Sequence, residues 1–189
     1  MKYELMNQAA SILEKNDFVE ISSPPKTDFF IDMCSEYKKA NAPFYYSVLN
    51  SDFILRCQVR PELKFTYDAG CLFIFESETK WIKFAFENTD LLYPSLVSVV
   101  TNDISDDCNG EQITEPEIWM QIVRKGQNWC LHYSNDKENW KMVRYFRLVM
   151  NKTIKVGVSS QSPIGEGCKV IFKNIEVLKN EYSDIRKAK

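Results

Sequence analysis

The chain has 189 residues, of which 44% are hydrophobic and 13% aromatic, and its formal net charge is −2 at pH 7. This composition supports a hydrophobic core and excludes general disorder, and the interspersed charges predict no binding to nucleic acid. A chain of this length is most simply one domain, so residues 1–189 are predicted to form a single domain.

The N-terminal residues predict a short peripheral helix over residues 1–16. Apolar residues recur there at helical spacings before Asn16: Leu5, Met6, Ala9, Ile12 and Leu13. A helix this short is marginal alone, so it is expected to pack on the domain or to serve as a dimer contact. The segment lacks the apolar core of a secretory signal, and no run in the chain approaches the ~20 apolar residues that span a membrane. A cytoplasmic protein with no membrane partner is therefore expected.

Residues 17–178 predict many short strands. Strand-like runs alternate with turn signals such as Ser22-Ser-Pro-Pro25 and Gly126-Gln-Asn128. This pattern predicts an all-β fold, and at this length a jelly roll of two sheets is favoured over a small barrel. Residues 102–110 are predicted to form an acidic polar loop, and residues 179–189 a charged, frayed tail.

The hairpin predicted over residues 68–87 has the clearest pattern. Its first arm, Gly70 to Phe75, is apolar at every position, as expected of a strand covered on both faces. Its second arm alternates, so that every second residue from Ile82 to Phe86 faces the core. The opposite face then carries a ring, a cation and a carboxylate: Trp81, Lys83 and Glu87. This row is either a solvated surface with a Lys–Glu pair or the floor of a site.

The cysteines and the single histidine predict neither a metal site nor a cofactor. Without an export signal or a Cys-x-x-Cys pair, the cysteines are predicted to be mostly buried free thiols, with Cys108 the most exposed. A serine triad would need His132, and no nucleophile-elbow pattern accompanies it, so no catalytic residue is predicted. The six cysteines are Cys34, Cys57, Cys71, Cys108, Cys130 and Cys168.

Short blocks follow one another between residues 18 and 178: Thr27-Asp-Phe-Phe30, Asp52-Phe53, Tyr67-Asp-Ala-Gly70, Trp81-Ile-Lys83 with Glu87, Ser98-Val-Val-Thr-Asn-Asp103 with Ser105-Asp106, Tyr133-Ser134 with Asp136 and Trp140, Arg144, and Val156-Gly157 through Ser162-Pro163 to Phe172. This ordered set resembles the DUF1349 group of concanavalin A-like proteins, which includes a yeast protein named for the regulation of enolase. The chain departs from the family at Lys137, where Gly is usual, and at Cys108, where an aromatic residue is common. The first departure is expected to alter a turn and the second a wall of the site.

The resemblance implies a concanavalin A-like jelly-roll β-sandwich of two antiparallel sheets. It also implies that polar residues of these blocks gather with the hairpin row on one concave face and form a ligand-binding site. The predicted site residues are Asp68, Trp81, Lys83, Glu87, Thr101, Ser105, Asp106, Tyr133, Trp140 and Arg144. The resemblance brings no established reaction with it.

Three functions stay open at this point. The first is a non-catalytic binding or regulatory protein for a carbohydrate or a small polar metabolite. The second is a glycan-active enzyme that uses Glu87 and an Asp of the acidic loop, although the paired-carboxylate strand motif of related glucanases is missing. The third is a protein–protein regulator of a metabolic enzyme, with a homodimer also open. Calcium binding by the acidic loop is disfavoured against an Asx-rich turn.

Overall fold

A computed structural model describes residues 2–34 and 36–189, and every regular element in those residues is a β-strand. No helix that could cross a membrane occurs in this described part of the chain. The strands are β1 (Glu4–Met6), β2 (Ser11–Glu14), β3 (Phe18–Ser22), β4 (Phe29–Ile31), β5 (Lys38–Ala40), β6 (Phe44–Leu49), β7 (Phe53–Pro61), β8 (Ala69–Ser77), β9 (Lys80–Asn88), β10 (Pro94–Asn102), β11 (Ile104–Gln112), β12 (Ile118–Lys125), β13 (Asn128–Ser134), β14 (Lys141–Arg147), β15 (Ile154–Gln161) and β16 (Lys169–Lys179).

Two seven-stranded antiparallel sheets form a sandwich. The first sheet has the order β1-β6-β15-β8-β9-β10-β11, and the second has the order β14-β13-β12-β7-β16-β3-β2. Alternate side chains of both sheets, among them Leu72, Phe84, Leu55 and Phe172, meet between the sheets in the main hydrophobic core. The predicted all-β jelly-roll sandwich is confirmed.

The hairpin of β8 and β9 lies inside the first sheet, between β15 and β10. Ile82, Phe84 and Phe86 enter the core between the sheets, as their alternation predicts. Side chains at the intervening positions of β8 and β9 point to the outer face of this sheet. That face is also covered, which explains why the first arm is apolar at every position.

The segment before β6 covers part of this outer face through the short hairpin of β4 and β5. Phe29 of β4 packs against Phe73 and Trp81, with ring centroids 4.4 and 5.7 Å apart respectively. Ile31 joins the same buried cluster. The two-stranded hairpin thus gives the first sheet a second, smaller core on its outer face.

The predicted N-terminal helix is wrong. The segment forms two edge strands: β1 pairs with β6, and β2 pairs with β3. Between them Asn7 has a φ of 65°, which interrupts the run. Leu5 and Leu13 stay 42% and 46% exposed, so the apolar residues at helical spacing share no buried face. Hydrogen bonding to an available sheet edge outweighs the helical pattern of a short segment.

The predicted acidic loop is also wrong, because residues 104–112 form β11 at the edge of the first sheet. Its side chains are almost all exposed, so polar residues are tolerated there and blunt the edge against further pairing. The reversal before it occurs at Asp103, which has a φ of 66°. The strand places Asp106 opposite Val100 and Asp107 opposite Val99.

The C-terminal segment packs against the outer face of the second sheet and is not frayed at Tyr182 and Ile185. Ile185 is buried against Ile54, Val123 and Cys130. The hydroxyl of Tyr182 donates to the Gln121 side chain at 3.3 Å. The tail is mostly charged, but Tyr182 and Ile185 within it pack on an apolar patch of the sheet.

Two further details of the sequence have a structural outcome. Lys137 replaces the usual Gly yet adopts a φ of 67°, so the left-handed turn is kept. The free cysteines divide into a buried and an exposed group, the latter being Cys34 and Cys108.

Candidate functional site

The outer face of the first sheet carries a pocket with a volume of about 310 Å³. Strands β9, β10 and β11 supply its floor and one wall, the β4–β5 segment a second wall, and the loops before β8 and after β15 the rest. It is lined by Asp28, Phe30, Asp32, Tyr37, Tyr67, Lys83, Glu87, Val97, Val99, Asp107, Pro163 and Ile164.

Strand register decides which polar side chains reach this pocket. Lys83 of β9 lies opposite Val99 of β10, which in turn lies opposite Asp107 of β11. Residues in one such row share a face of the sheet. Asp107 therefore joins Lys83 on the outer face, while its neighbour Asp106 points to the other side. Cys108 also lies out of phase with Asp107, so this departure from the family does not alter the pocket wall.

Lys83 is the central cation of the pocket and is only 3% exposed. Its Nζ donates to Asp28 Oδ1 at 3.0 Å and to Gln161 Oε1 at 3.1 Å. Burial alone would lower the pKa of Lys83, but the nearby carboxyls of Asp28 and Glu87 outweigh that effect and raise it. Lys83 therefore stays charged, and the third N–H of its ammonium group is available to a ligand.

Asp28 is held in place for this ion pair from several sides. Its Oδ1 accepts from the backbone N–H of Phe29 at 2.8 Å, and its Oδ2 accepts from the Tyr37 hydroxyl at 3.2 Å. Burial and the proximity of Asp28 raise the pKa of the Tyr37 hydroxyl, which keeps it a donor. The ion pair thereby ties the β4–β5 hairpin to β9 across the outer face of the sheet.

Glu87 is 7% exposed and is the second buried ionisable group of the pocket. Burial raises its pKa from 4.5 to about 8, although Lys83 acts in the opposite direction. Gln161 Nε2 lies 3.4 Å from its Oε2 and donates also to the carbonyl of Tyr67 at 3.2 Å. At neutral pH Glu87 is therefore largely a neutral carboxyl, able to donate as well as to accept.

The raised pKa of Glu87 makes stability depend on pH. In the unfolded chain the carboxyl ionises near 4.5, whereas in the folded protein it keeps its proton up to about 8. Between these values the folded state holds more protons, so its stability falls as the pH rises. We expect Glu87→Gln to remove this part of the slope and to unfold at higher urea than the unsubstituted protein above pH 8.

Urea unfolding curves across this pH range measure the effect. Glu78→Gln is the matched control, because Glu78 is exposed at the hairpin turn, and it should leave the slope unchanged. Parallel slopes for the unsubstituted protein and Glu87→Gln would contradict a protonated Glu87.

The other predicted site residues lie outside the pocket. Asp106 forms an ion pair with Arg144 at 3.0 Å, which links β11 to β14 of the second sheet. Tyr133 faces the core between the sheets, and its hydroxyl donates to Glu111 and accepts from Lys141 at 3.0 Å. Trp140 lies half-buried just before β14. The predicted gathering on one face is therefore not observed, because Tyr133 and the Asp106–Arg144 pair lie between the two sheets and the pocket lies on the outer face of the first.

Four more predicted residues have structural roles outside the pocket lining. Asp68 is fully buried, accepts from the Ser162 hydroxyl at 2.6 Å and caps the backbone N–H groups of residues 64 and 65. The hydroxyls of Thr101 and Ser105 lie 2.8 Å apart, and Ser105 also accepts from the backbone N–H of Ile31. Trp81 is fully buried in the small core below the β4–β5 hairpin. Of the predicted set, only Lys83 and Glu87 line the pocket.

Sequence reasoning missed most of the pocket lining. Asp28 and Phe30 lie in the block Thr27-Asp-Phe-Phe30, so a signal for them was present in the resemblance. Asp107 could have been found only from the strand register of β11. No group of three or more His, Cys, Asp or Glu residues with the geometry to hold a metal ion occurs among the described residues.

Comparison with solved structures places the fold among β-sandwich proteins. A functionally unknown protein of Saccharomyces cerevisiae superposes with a TM-score of 0.89 at 21% identity, over 95% of this chain and 97% of that one. A GH43 protein of Bacillus licheniformis matches with a TM-score of 0.68 at 11% identity, over 86% of this chain but only 33% of that longer one. The carbohydrate-binding module CBM66 of Bacillus subtilis matches with a TM-score of 0.58 at 7% identity, over 94% and 95% of the two chains.

Sequence comparison gives the family. No curated protein sequence matches the chain. The family described as "Protein of unknown function (DUF1349)" matches residues 5–180, which is nearly the whole sandwich. The chain belongs to the DUF1349 family.

Proposed function

We propose that this protein is a non-catalytic binding protein whose pocket on the first sheet holds one ring of a carbohydrate or a similar small polyhydroxylated metabolite. The observation that carries the proposal is the buried Lys83, held by Asp28 and Gln161 with one donor left for a ligand. Pockets lined by aromatic and apolar side chains with a few fixed polar groups are typical ligand sites.

The size of the pocket supports a small ligand. Binding pockets for small molecules span about 300 to 1,000 Å³, and this one, at about 310 Å³, lies at the lower end. The volume suits a single ring or a short chain of similar size. A long polysaccharide would need an extended groove.

The chemistry of the lining suits hydroxyl groups. Each hydroxyl can donate and accept, and the pocket offers an ammonium donor at Lys83, a neutral carboxyl at Glu87 and a carboxylate acceptor at Asp28. The rings of Phe30 and Tyr67 line the same space and can pack on the C–H face of a sugar. The names of a carbohydrate-binding module and a GH43 protein among proteins of this fold support a glycan-related ligand.

A glycan-active enzyme is the second candidate, favoured by one observation. Glu87 has a pKa of about 8, which suits a general acid, and Asp107 lines the same pocket as a second carboxyl. Asp106, on the other face, does not fit that role. We rank this candidate lower because Glu87 is bonded to Gln161 and lies beside the Lys83 ammonium. Turnover of aryl glycosides that Glu87→Gln abolishes would establish the enzyme.

A thermal-shift screen of monosaccharides and small polar metabolites tests the binding proposal, because a ligand that binds only the folded state raises the melting temperature. We expect Tyr67→Asn to weaken the best ligand by about tenfold through loss of ring packing. Asn suits this position, because Tyr67 has a φ of 68°.

Tyr145→Ala is the matched control, since Tyr145 is 42% exposed on β14 of the second sheet. It should bind the ligand like the unsubstituted protein. Equal losses in both variants, or no ligand in the whole screen, would contradict the proposal. A regulatory role towards a metabolic enzyme, and a homodimer, stay predictions.

A further inference from the structure

The pocket has an excess of acidic groups. Four carboxyl side chains line it, namely those of Asp28, Asp32, Glu87 and Asp107, whereas Lys83 is the only cation among the described lining residues. Lys83 and Asp28 form an ion pair and neutralise each other. The ionisable lining groups that have no ion-pair partner among the described residues are therefore all carboxyls.

One of these carboxyls is buried and lacks a partner for one oxygen. Glu87 is only 7% exposed, and its Oε1 has no hydrogen-bond partner among the described residues, while Oε2 is shared with Gln161. Because Glu87 lines the pocket, this oxygen is available to a ligand. Trp81 Nε1 is the only fully buried side-chain N or O atom without a partner among the described residues, so this Glu87 oxygen is reached by solvent, and a ligand donor would replace that contact.

The mouth of the pocket has the same electrostatic character. Asp107 lies at the exposed edge strand on the row of Lys83, and Asp32 lies on the opposite wall at the end of β4. Asp90, in the loop between β9 and β10, is close enough to raise the pKa of both Glu87 and Asp107. An anionic ligand would meet repulsion here, and a cationic one would meet attraction.

The aromatic lining also accommodates an ammonium group. The Nζ of Lys83 already lies 5.8 Å from the ring centroid of Phe30, within the range of a cation–π contact. Tyr37 and Tyr67 add two more rings to the pocket. A ligand ammonium between these rings and the carboxyls at the mouth would have partners of both kinds.

From this geometry we infer that the pocket takes a polyhydroxylated ligand that bears a protonated amine, such as an amino sugar, and that it rejects uronic acids and sugar phosphates. The inference rests on the proposed function and names the ligand class for the same pocket. Hydroxyls would bond to Lys83 and Asp28, whereas the ammonium would pair with the carboxylate of Asp107 and donate to an oxygen of the neutral Glu87 carboxyl.

Matched sets of three sugars test this inference. Each set shares one ring and consists of the neutral hexose, its 2-amino form and its uronic acid, in the glucose and galactose series. Affinities are measured by calorimetry at mildly acidic pH, where the amine is protonated. We expect the amino form to bind about tenfold tighter than the neutral form, the value of one favourable charge contact, and the uronic acid to bind weakest.

Two variants on the same strand locate the effect. Asp107→Asn should weaken the amino sugar by about tenfold more than the neutral sugar. Asp106→Asn is the matched control, because the side chain of Asp106 points away from the pocket and pairs with Arg144. This variant should still bind the amino sugar more tightly than the neutral sugar.

The outcomes separate this inference from the proposed function. A neutral sugar that binds as tightly as its amino form, or a loss of preference in Asp106→Asn as large as in Asp107→Asn, would overturn the inference and leave a carbohydrate pocket. Absence of binding by every sugar would overturn the carbohydrate pocket itself.

Discussion

Replacing Lys83 with Met is expected to lower the free energy of unfolding by about 3–5 kcal/mol, the usual cost of removing one partner of a buried ion pair. The substitution leaves the carboxylate of Asp28 inside the protein, where it is 6% exposed, without its cation. Asp28 also fixes the β4–β5 hairpin through Phe29 and Tyr37. The substitution therefore destabilises both the Asp28 carboxylate and the packing of the β4–β5 hairpin on the first sheet.

Urea unfolding midpoints measure this cost, with the slope of the transition as a check for two-state behaviour. Lys179→Met is the matched control. Lys179 pairs with Glu181 at 3.6 Å on the surface, where an ion pair contributes about 0–1 kcal/mol. The double variant Asp28→Asn with Lys83→Met should lose less than the sum of the two single variants, since neither charge is left alone. Additive losses would show that the two residues do not form the pair.

Trp81→Ala is expected to be as damaging as Lys83→Met, at about 3–5 kcal/mol, because it leaves a cavity in a packed core. The Trp81 ring is fully buried and contacts Phe29 and Phe73 in the small core below the β4–β5 hairpin. The sequence alone predicts that Trp81 is a ligand-binding residue on which a sugar ring could stack. Its burial makes it a structural residue beside the pocket, and its loss would lower stability before it affected binding.

A comparison of Phe substitutions at two tryptophans sharpens this prediction. Trp81 Nε1 has no hydrogen-bond partner in the described structure, whereas the Nε1 of the equally buried Trp129 donates to the carbonyl of Leu148 at 3.0 Å. Trp129→Phe leaves that carbonyl without a partner, and Trp81→Phe does not. We expect Trp81→Phe to cost about 1–2 kcal/mol less than Trp129→Phe in chemical unfolding. Equal costs would point to an unseen partner, such as a water, at Trp81.

The N-terminal segment shows where pattern reading fails. Leu5, Ile12 and Leu13 fit a helical stripe, yet the segment adds an edge strand to each sheet. The acidic residues of β11 similarly indicate a loop, although backbone pairing with β10 makes them a strand. In both places the backbone bonds to a sheet edge that exists only after the rest of the chain has folded. Local composition carries no information about that edge.

The candidate site, too, is predicted from the sequence only in part. Alternation along β9 predicts that Lys83 and Glu87 share a face, and the structure places both in one pocket. Alternation cannot decide which face of a neighbouring strand joins them, because a shift of one residue in register exchanges the two faces. Register thus selects Asp107 for the pocket and turns Asp106 towards Arg144 of the second sheet.

The sequence by itself determines the all-β class and the central hairpin, since these follow from local alternation and turn residues that need no partner strand to be recognised. The family follows from the ordered blocks of the sequence and not from its periodicity. Only the tertiary structure decides that Trp81 is core, that Asp28 pairs with Lys83, and that Glu87 keeps its proton to a pH of about 8. The first two depend on the β4–β5 segment, which ends 40 residues before β9 begins, and the third depends on the burial of Glu87 in the folded pocket. Desolvation and long-range pairing are properties of the folded arrangement, and they convert a row of ordinary side chains into a pocket.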